Sequence, residues 1–210
     1  DNKIFIAGGE TINPDNGQVE ISKDAMFLDL ESKEFHHLEP MSAPRSGCTS
    51  VIVNNSFYVL GGNINSQDAF GEFYDFEYKF WHLLPSIPLL VTSPCIAACE
   101  RFVYVIGKFD QKTYIQKYDS VTQRWNESPC EAPDFVDTKN GSAYYYQNRI
   151  FICNGKGFMF IYDIPSENWT FQENGIFTCI YICFCVYSIS FPPNEKLLPA
   201  LFYSVFHLIV

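Results

Sequence analysis

Residues 57–84 read FYVLGGNINSQDAFGEFYDFEYKFWHLL. The stretch opens on Phe57-Tyr58-Val59-Leu60, a run dominated by aromatic and β-branched residues, and stops at Gly61-Gly62. A short run of that kind closed by glycine favours a strand over a helix. A polar loop follows, then a second short run ending in Tyr74-Asp75, a turn, and Trp81.

The same landmarks recur along the chain. Tyr118-Asp119 and Tyr162-Asp163 follow Tyr74-Asp75 at intervals of 44 residues, and Trp125 and Trp169 follow Trp81 at the same interval. The glycine-closed run recurs as Ile4–Gly9, Val103–Lys108 and Ile150–Gly155. Leu28-Asp29 and Phe35 hold the Tyr-Asp and Trp places in a first copy. Two independent landmarks that stay in step identify an internal repeat.

Ahead of three of the runs lies one more strand candidate: Cys48–Val53, Cys95–Cys99 and Ser142–Tyr146. The first copy lacks it. Each unit therefore reads as four short antiparallel strands, and Pro40/Pro44, Pro85/Pro88 and Pro129/Pro133 mark the connections between units. A four-stranded unit cannot cover both of its faces alone. Stacking like units around an axis buries those faces, which is the propeller solution. On this reading Tyr and Trp fill the space between blades, glycine permits a tight turn, and Asp bonds the backbone of its own turn.

The blades fall at about 1–40, 41–88, 89–133 and 134–174, giving a repeat region over 1–174. From Gly175 the composition changes. Of the 36 residues in 175–210, 24 are hydrophobic and only Glu195 and Lys196 are charged. Its two apolar stretches, Ile176–Ile189 and Leu197–Val210, are each shorter than the ~20 residues that a membrane-crossing helix needs. The tail reads as non-repeat hydrophobic sequence of splice-variant or read-through origin. A diverged strand segment capping the blades and a membrane-associating tail are the competing readings.

The chain carries 24 acidic against 14 basic residues, a net charge of −10, which argues against nucleic-acid and anionic-membrane partners. Eight cysteines without a CxxC pair, and only four histidines, argue against a zinc site. Reduced thiols of a cytoplasmic protein fit better than a disulfide framework. No GxSxG, phosphate-binding loop or HExxH pattern is present, so neither catalytic residues nor a cofactor or metal is expected, and the chain does not read as an enzyme.

With Gly-Gly, Tyr-Asp and Trp in this order, the chain resembles the kelch repeat, and in particular the kelch-like proteins that carry BTB and BACK domains upstream. Met41–Cys48 is also similar to that family's inter-blade connection, M-x-x-x-R-x-x-H, with Cys48 in the histidine's place. The resemblance implies an all-β, partial kelch-type propeller of about four blades. It implies a protein–protein interaction module: the substrate-recognition part of a kelch-like adaptor of a cullin-3 ubiquitin ligase. Cullin-3 itself would be reached only through the BTB domain, which these residues do not include. A cytoskeletal, actin-associated scaffold is the other function it admits. Copper radical oxidases resembling galactose oxidase also use such blades, but the histidines here are too few and poorly placed for their copper site.

Family members hold their targets through loops and inter-blade connections. The residues implied here are Arg45, Asn63, Asn65, Asp110, Gln111, Lys112 and Lys156. Arg45 stands first, because its planar, five-donor guanidinium suits a carboxylate. The loop after the first glycine-closed run, Glu10–Lys23, is the longest and contains the turn signal Pro14-Asp15-Asn16-Gly17, so it is expected to project from the rim.

Overall fold

The computed structural model describes residues 2–13, 15–63 and 69–172, together with a two-residue strand, Cys185–Val186. Asn65 and almost all of the 175–210 tail lie outside the described residues, and with them the splice and membrane readings of that tail. Every regular element among the described residues is a β-strand.

The first unit holds β1 (Lys3–Ala7), β2 (Glu10–Ile12), β3 (Val19–Ile21), β4 (Ala25–Asp29) and β5 (Phe35–His37). The second holds β6 (Cys48–Val53), β7 (Ser56–Gly61), β8 (Gly71–Asp75) and β9 (Phe80–Leu83). The third holds β10 (Thr92–Cys99), β11 (Phe102–Phe109), β12 (Lys112–Asp119), β13 (Arg124–Trp125) and a short β14 (Cys130–Glu131) that also pairs with β12. The fourth holds β15 (Ser142–Tyr146), β16 (Arg149–Cys153), β17 (Met159–Asp163) and β18 (Asn168–Gln172).

Each of the last three units is an antiparallel sheet whose strands follow chain order. In the first unit the leading place beside β1 is taken by β19 (Cys185–Val186), with Phe5 opposite Cys185 and Ile4 opposite Val186. β10 lies beside β6 on one side and β15 on the other, as strands nearest a common axis would. The described residues are thus all-β, with kelch-type blades forming part of a propeller.

The repeat landmarks meet in the sheets. Tyr74 pairs directly with Trp81, Tyr118 with Trp125 and Tyr162 with Trp169, while Leu28 faces Phe35. Their rings lie 5.4, 5.1 and 4.9 Å apart, cross-strand contacts that stabilise each outer pair. Histidines behave as strand residues too: His36 stacks on Phe27 and His82 on Phe73.

The indole of each tryptophan faces the preceding inter-blade connection in two copies. Trp81 Nε1 donates to the Glu39 carbonyl at 2.6 Å, and Trp125 Nε1 to the Pro85 carbonyl at 2.9 Å. In the fourth blade Trp169 Nε1 is buried without an acceptor. Trp81→Phe and Trp125→Phe are therefore expected to cost about 1 kcal/mol more than Trp169→Phe, measured by denaturant unfolding. Equal losses at all three positions would mean that the indole bonds do not matter.

The aspartate after each Tyr caps its own turn. Asp29 Oδ1 accepts from the amides of Glu31 and Ser32, Asp75 from Glu77 and Tyr78, Asp119 from Val121 and Thr122, and Asp163 from Ser166. Lys33, Lys79, Gln123 and Glu167 take positive φ at the matching point of the four turns. Amide donation from Ser32 and Glu31 holds the Asp29 carboxyl below the ordinary carboxylate range. At Asp119 burial pulls upward but is outweighed by the Val121 and Thr122 amides and Arg101. At Asp163 the Ser166 hydroxyl and Arg149 have the same lowering effect.

A carboxyl depressed on folding stabilises the fold at pH above its unfolded value, and that stability disappears as pH falls through the folded value. The melting midpoint is thus expected to be level above about pH 5 and to fall below about pH 4. A triple Asp29→Asn, Asp119→Asn, Asp163→Asn variant, whose amides still accept hydrogen bonds but do not titrate, is expected to flatten that slope. An identical slope in the variant would assign the pH dependence elsewhere.

The core is divided among the seams between blades. Phe5, Met41, Ile52, Phe57, Val59 and Tyr74 fill the first seam. Tyr58, Leu60, Phe73, Val103, Val105 and Tyr118 lie in the second. Ala97, Tyr104, Ile106, Ile150, Ile152 and Phe160 lie in the third. β10 departs from the expected start at Cys95 by beginning at Thr92. Pro94 lies inside it, accommodated by a register shift between Thr92 and Cys95. Pro94 also explains Gly61, where φ is +72° and a Cβ would come within 2.7 Å of the proline ring.

Candidate protein-binding rim

The strand directions gather the β1–β4, β7–β8, β11–β12 and β16–β17 loops at one rim, together with the connections that link one blade to the next. Loops carried on a rigid sheet scaffold are a common way to build a recognition surface.

Arg45, the foremost sequence candidate, is not on that surface. It is wholly buried, with Nε 3.0 Å from Glu72 Oε1. Nη1 donates to the carbonyls of Gly61 and Phe70, and Nη2 to that of Ala69. The other Glu72 oxygen accepts from the Ser42 amide at 2.7 Å. The guanidinium that suited a partner's carboxylate is thus satisfied inside the protein, where it ties the connection to the second blade.

The matching place in the third blade is Gln116, which exchanges two hydrogen bonds with the Leu89 backbone. In the fourth it is the buried Phe160. At the Arg45 position these blades carry Val91 and Thr138, both buried. A charged acid stands only where a buried cation faces it, as burial demands.

The other candidates lie in the loops. Asn63 is exposed after the second glycine pair. Asp110 and Gln111, both exposed and both at positive φ, are the two central residues of the tight β11–β12 turn, the type I′ hairpin geometry. Lys112 pairs with Glu131 at 2.6 Å, and Lys156 approaches Asp137 at 3.7 Å, beside Lys108, which reaches the same carboxylate at 3.1 Å. The structure thus brings Asp110, Gln111 and Lys112 into one loop and sets Lys156 at the seam between the third and fourth blades. Arg45 stands apart from them. These surface pairs are worth little in stability and leave the lysines accessible.

The long first loop forms a regular arm, which the sequence reading did not anticipate. β2 and β3 pair as a two-stranded hairpin, with Glu10 opposite Ile21, Thr11 opposite Glu20 and Ile12 opposite Val19. The signal was present: Val19-Glu20-Ile21 alternates, and Asn16-Gly17 sits between the two runs. The base of the arm is pinned to the first inter-blade connection. The Gly9 amide donates to the Arg45 carbonyl and the Arg45 amide to the Ser22 carbonyl. Gly8 completes the base at φ +68°, where a Cβ would collide with the Arg45 carbonyl oxygen.

Elsewhere, an open depression of about 400 Å³ on the fourth blade is lined by Arg149, Ile161, Asp163, Ser166, Asn168 and Thr170. Among the described residues, no group of three His, Cys, Asp or Glu is placed to hold a metal ion. None of the described helices is long and apolar enough to cross a membrane, since the described residues contain no helix.

Blades packed face to face and loops collected at one rim define a protein-interaction module. No family model matches the chain. Among curated proteins it is 24% identical over 205 residues to kelch repeat and BTB domain-containing protein 2 of ectromelia virus, covering 86% of this chain and 33% of that protein. It is 23% identical over 159 residues to kelch repeat and BTB domain-containing protein 3 of Mus musculus, covering 70% and 26%. It is 23% identical over 130 residues to a putative F-box/kelch-repeat protein of Arabidopsis thaliana, covering 60% and 32%. The chain is thus similar to kelch-repeat proteins, and it spans about a quarter to a third of the length of these relatives.

Proposed function

We infer that this kelch-repeat region captures a protein client for ubiquitination, as the substrate-recognition part of a kelch-like adaptor working with cullin-3 in the cytoplasm. The observation that carries this is the pairing found in the relatives: kelch repeats occur there with BTB or F-box modules, so the repeats are the shared part. In this reading the rim holds the client, and a BTB domain elsewhere in the parent protein docks on cullin-3. The net charge of −10 favours basic protein surfaces over nucleic acid or anionic membrane.

The test is affinity purification of the full-length parent, followed by its depletion in cells. Cullin-3 is expected in the purified complex, and one co-purified protein is expected to become longer-lived after depletion. Co-sedimentation with actin filaments and no cullin-3 would overturn this in favour of the scaffold function.

A further inference from the structure

We propose that the β2–β3 hairpin is a contact arm that takes an extended, basic segment of the partner protein, apolar residues alternating with lysine or arginine. The proposal rests on the client-capturing reading and specifies where and how the partner is held.

The apolar character of the arm comes first. Period-two alternation puts Glu10, Ile12, Val19 and Ile21 on one face and Thr11 and Glu20 on the other. Ile12 is 73%, Val19 61% and Ile21 39% exposed. Three neighbouring aliphatic β-branched side chains on one exposed hairpin face are the mark of a surface meant to be covered. None of the three is among the buried residues that fill the seams between blades.

The second observation is charge. The arm and its flanks, residues 10–24, carry Glu10, Asp15, Glu20 and Asp24 against Lys23 alone, all of them exposed. Several of these carboxylates are held in place: Ser46 donates to Glu10 at 2.6 Å, Asn13 to Glu20 at 2.7 Å and Ser22 to Asp24 at 2.9 Å. An apolar strip rimmed by fixed negative charge selects a complementary positive segment.

The third is order. The tip turn is closed by Asn13 N to Gln18 O and Gly17 N to Asn13 O, both at 2.8 Å. The Asn13 and Asn16 side chains accept from the Asp15 and Gln18 amides, both at 2.9 Å. With its base clamped through the Arg45 backbone, the arm is pre-organised, so little ordering is needed on binding. A two-stranded sheet also has open edges, to which an extended chain adds by main-chain hydrogen bonds. Alternate side chains of that chain would then meet the isoleucine–valine face and the Glu20 face in turn.

The test uses the full chain and a short fluorescein-labelled peptide of alternating lysine and valine, read by fluorescence anisotropy, with an alternating glutamate–valine peptide as the control. The lysine peptide is expected to bind, and more weakly as salt rises. The Ile12→Ser/Val19→Ser variant is expected to weaken it by about tenfold, and Glu20→Lys/Asp24→Lys by a similar factor. Both variants change exposed side chains, so an unchanged melting midpoint verifies that they fold. No binding of the lysine peptide, equal binding of both peptides, or equal binding by the serine variant overturns the proposal. So does concentration-dependent dimerisation that the serine variant abolishes, since a second copy would then be the occupant. If the full-length parent carrying Ile12→Ser/Val19→Ser keeps its client, the arm is refuted while client capture stands.

Discussion

Replacing Arg45 by alanine is expected to destabilise the folded chain by about 3–5 kcal/mol, the range found when one partner of a buried ion pair is removed. Arg45 and Glu72 are both wholly buried, and the guanidinium also serves the carbonyls of Gly61, Ala69 and Phe70. Alanine would strand the Glu72 carboxylate with only the Ser42 amide, and would take the guanidinium donors away from the carbonyls of Gly61, Ala69 and Phe70, of which Phe70 keeps the Gly61 amide. The third blade supplies the control. There Val91 and a neutral Gln116 fill the same places without any charge. The double variant Arg45→Val/Glu72→Gln copies that solution and is expected to be clearly more stable than Arg45→Ala. Denaturant unfolding decides the matter. If Arg45→Ala lies within about 0.5 kcal/mol of the parent chain, the buried pair is not what holds the first seam together.

Phe57→Ala is the other substitution with a large expected effect, about 3–5 kcal/mol. Phe57 has no exposed surface, and its ring lies 5.3 Å from Phe5 and 6.0 Å from Trp81. It therefore joins β1 of the first blade to β7 and β9 of the second. The alanine would leave a cavity in a seam whose walls are strand residues already committed to backbone pairing, so little collapse can fill it. Phe80→Ala, at a 47% exposed site in the same blade, is expected to cost less than about 1 kcal/mol. Similar losses at both positions, measured by thermal melting, would show that the first seam does not depend on this aromatic cluster.

The blades were legible in the sequence because their determinants are local. A Tyr seven residues before a Trp meets it across one turn, and an aspartate at the head of that turn bonds the next amides, so both appear at fixed spacing. The expected strands Cys48–Val53 and Ser142–Tyr146 are β6 and β15 as observed. The role of Arg45 is not legible, for the opposite reason. Its partners belong to the next repeat, 16 to 27 residues on, and no local pattern announces a buried carboxylate. A cue did exist in the series Glu72, Gln116, Phe160 set against Arg45, Val91, Thr138, where charge is present or absent at both places together. At the rim, a long loop with an Asn-Gly turn pointed to projection, but pairing β2 with β3 required noticing the alternation on both sides of it. The resemblance points to Asp110 and Gln111 as loop contacts, and the structure gives them a conformational task in addition.

Three of the four buried polar atoms without a partner among the described residues, Thr138 Oγ1, Asn154 Nδ2 and Trp169 Nε1, belong to the fourth blade or the connection leading into it. The earlier seams hold an ion pair and a glutamine clasp at places where this one has threonine and phenylalanine. Repeat arrays open where neighbour coupling is weakest. Unravelling therefore has a built-in direction: amide protons of the last blade should trade for deuterium before those of the second, and peeling should travel from the chain's later repeats toward its earlier ones.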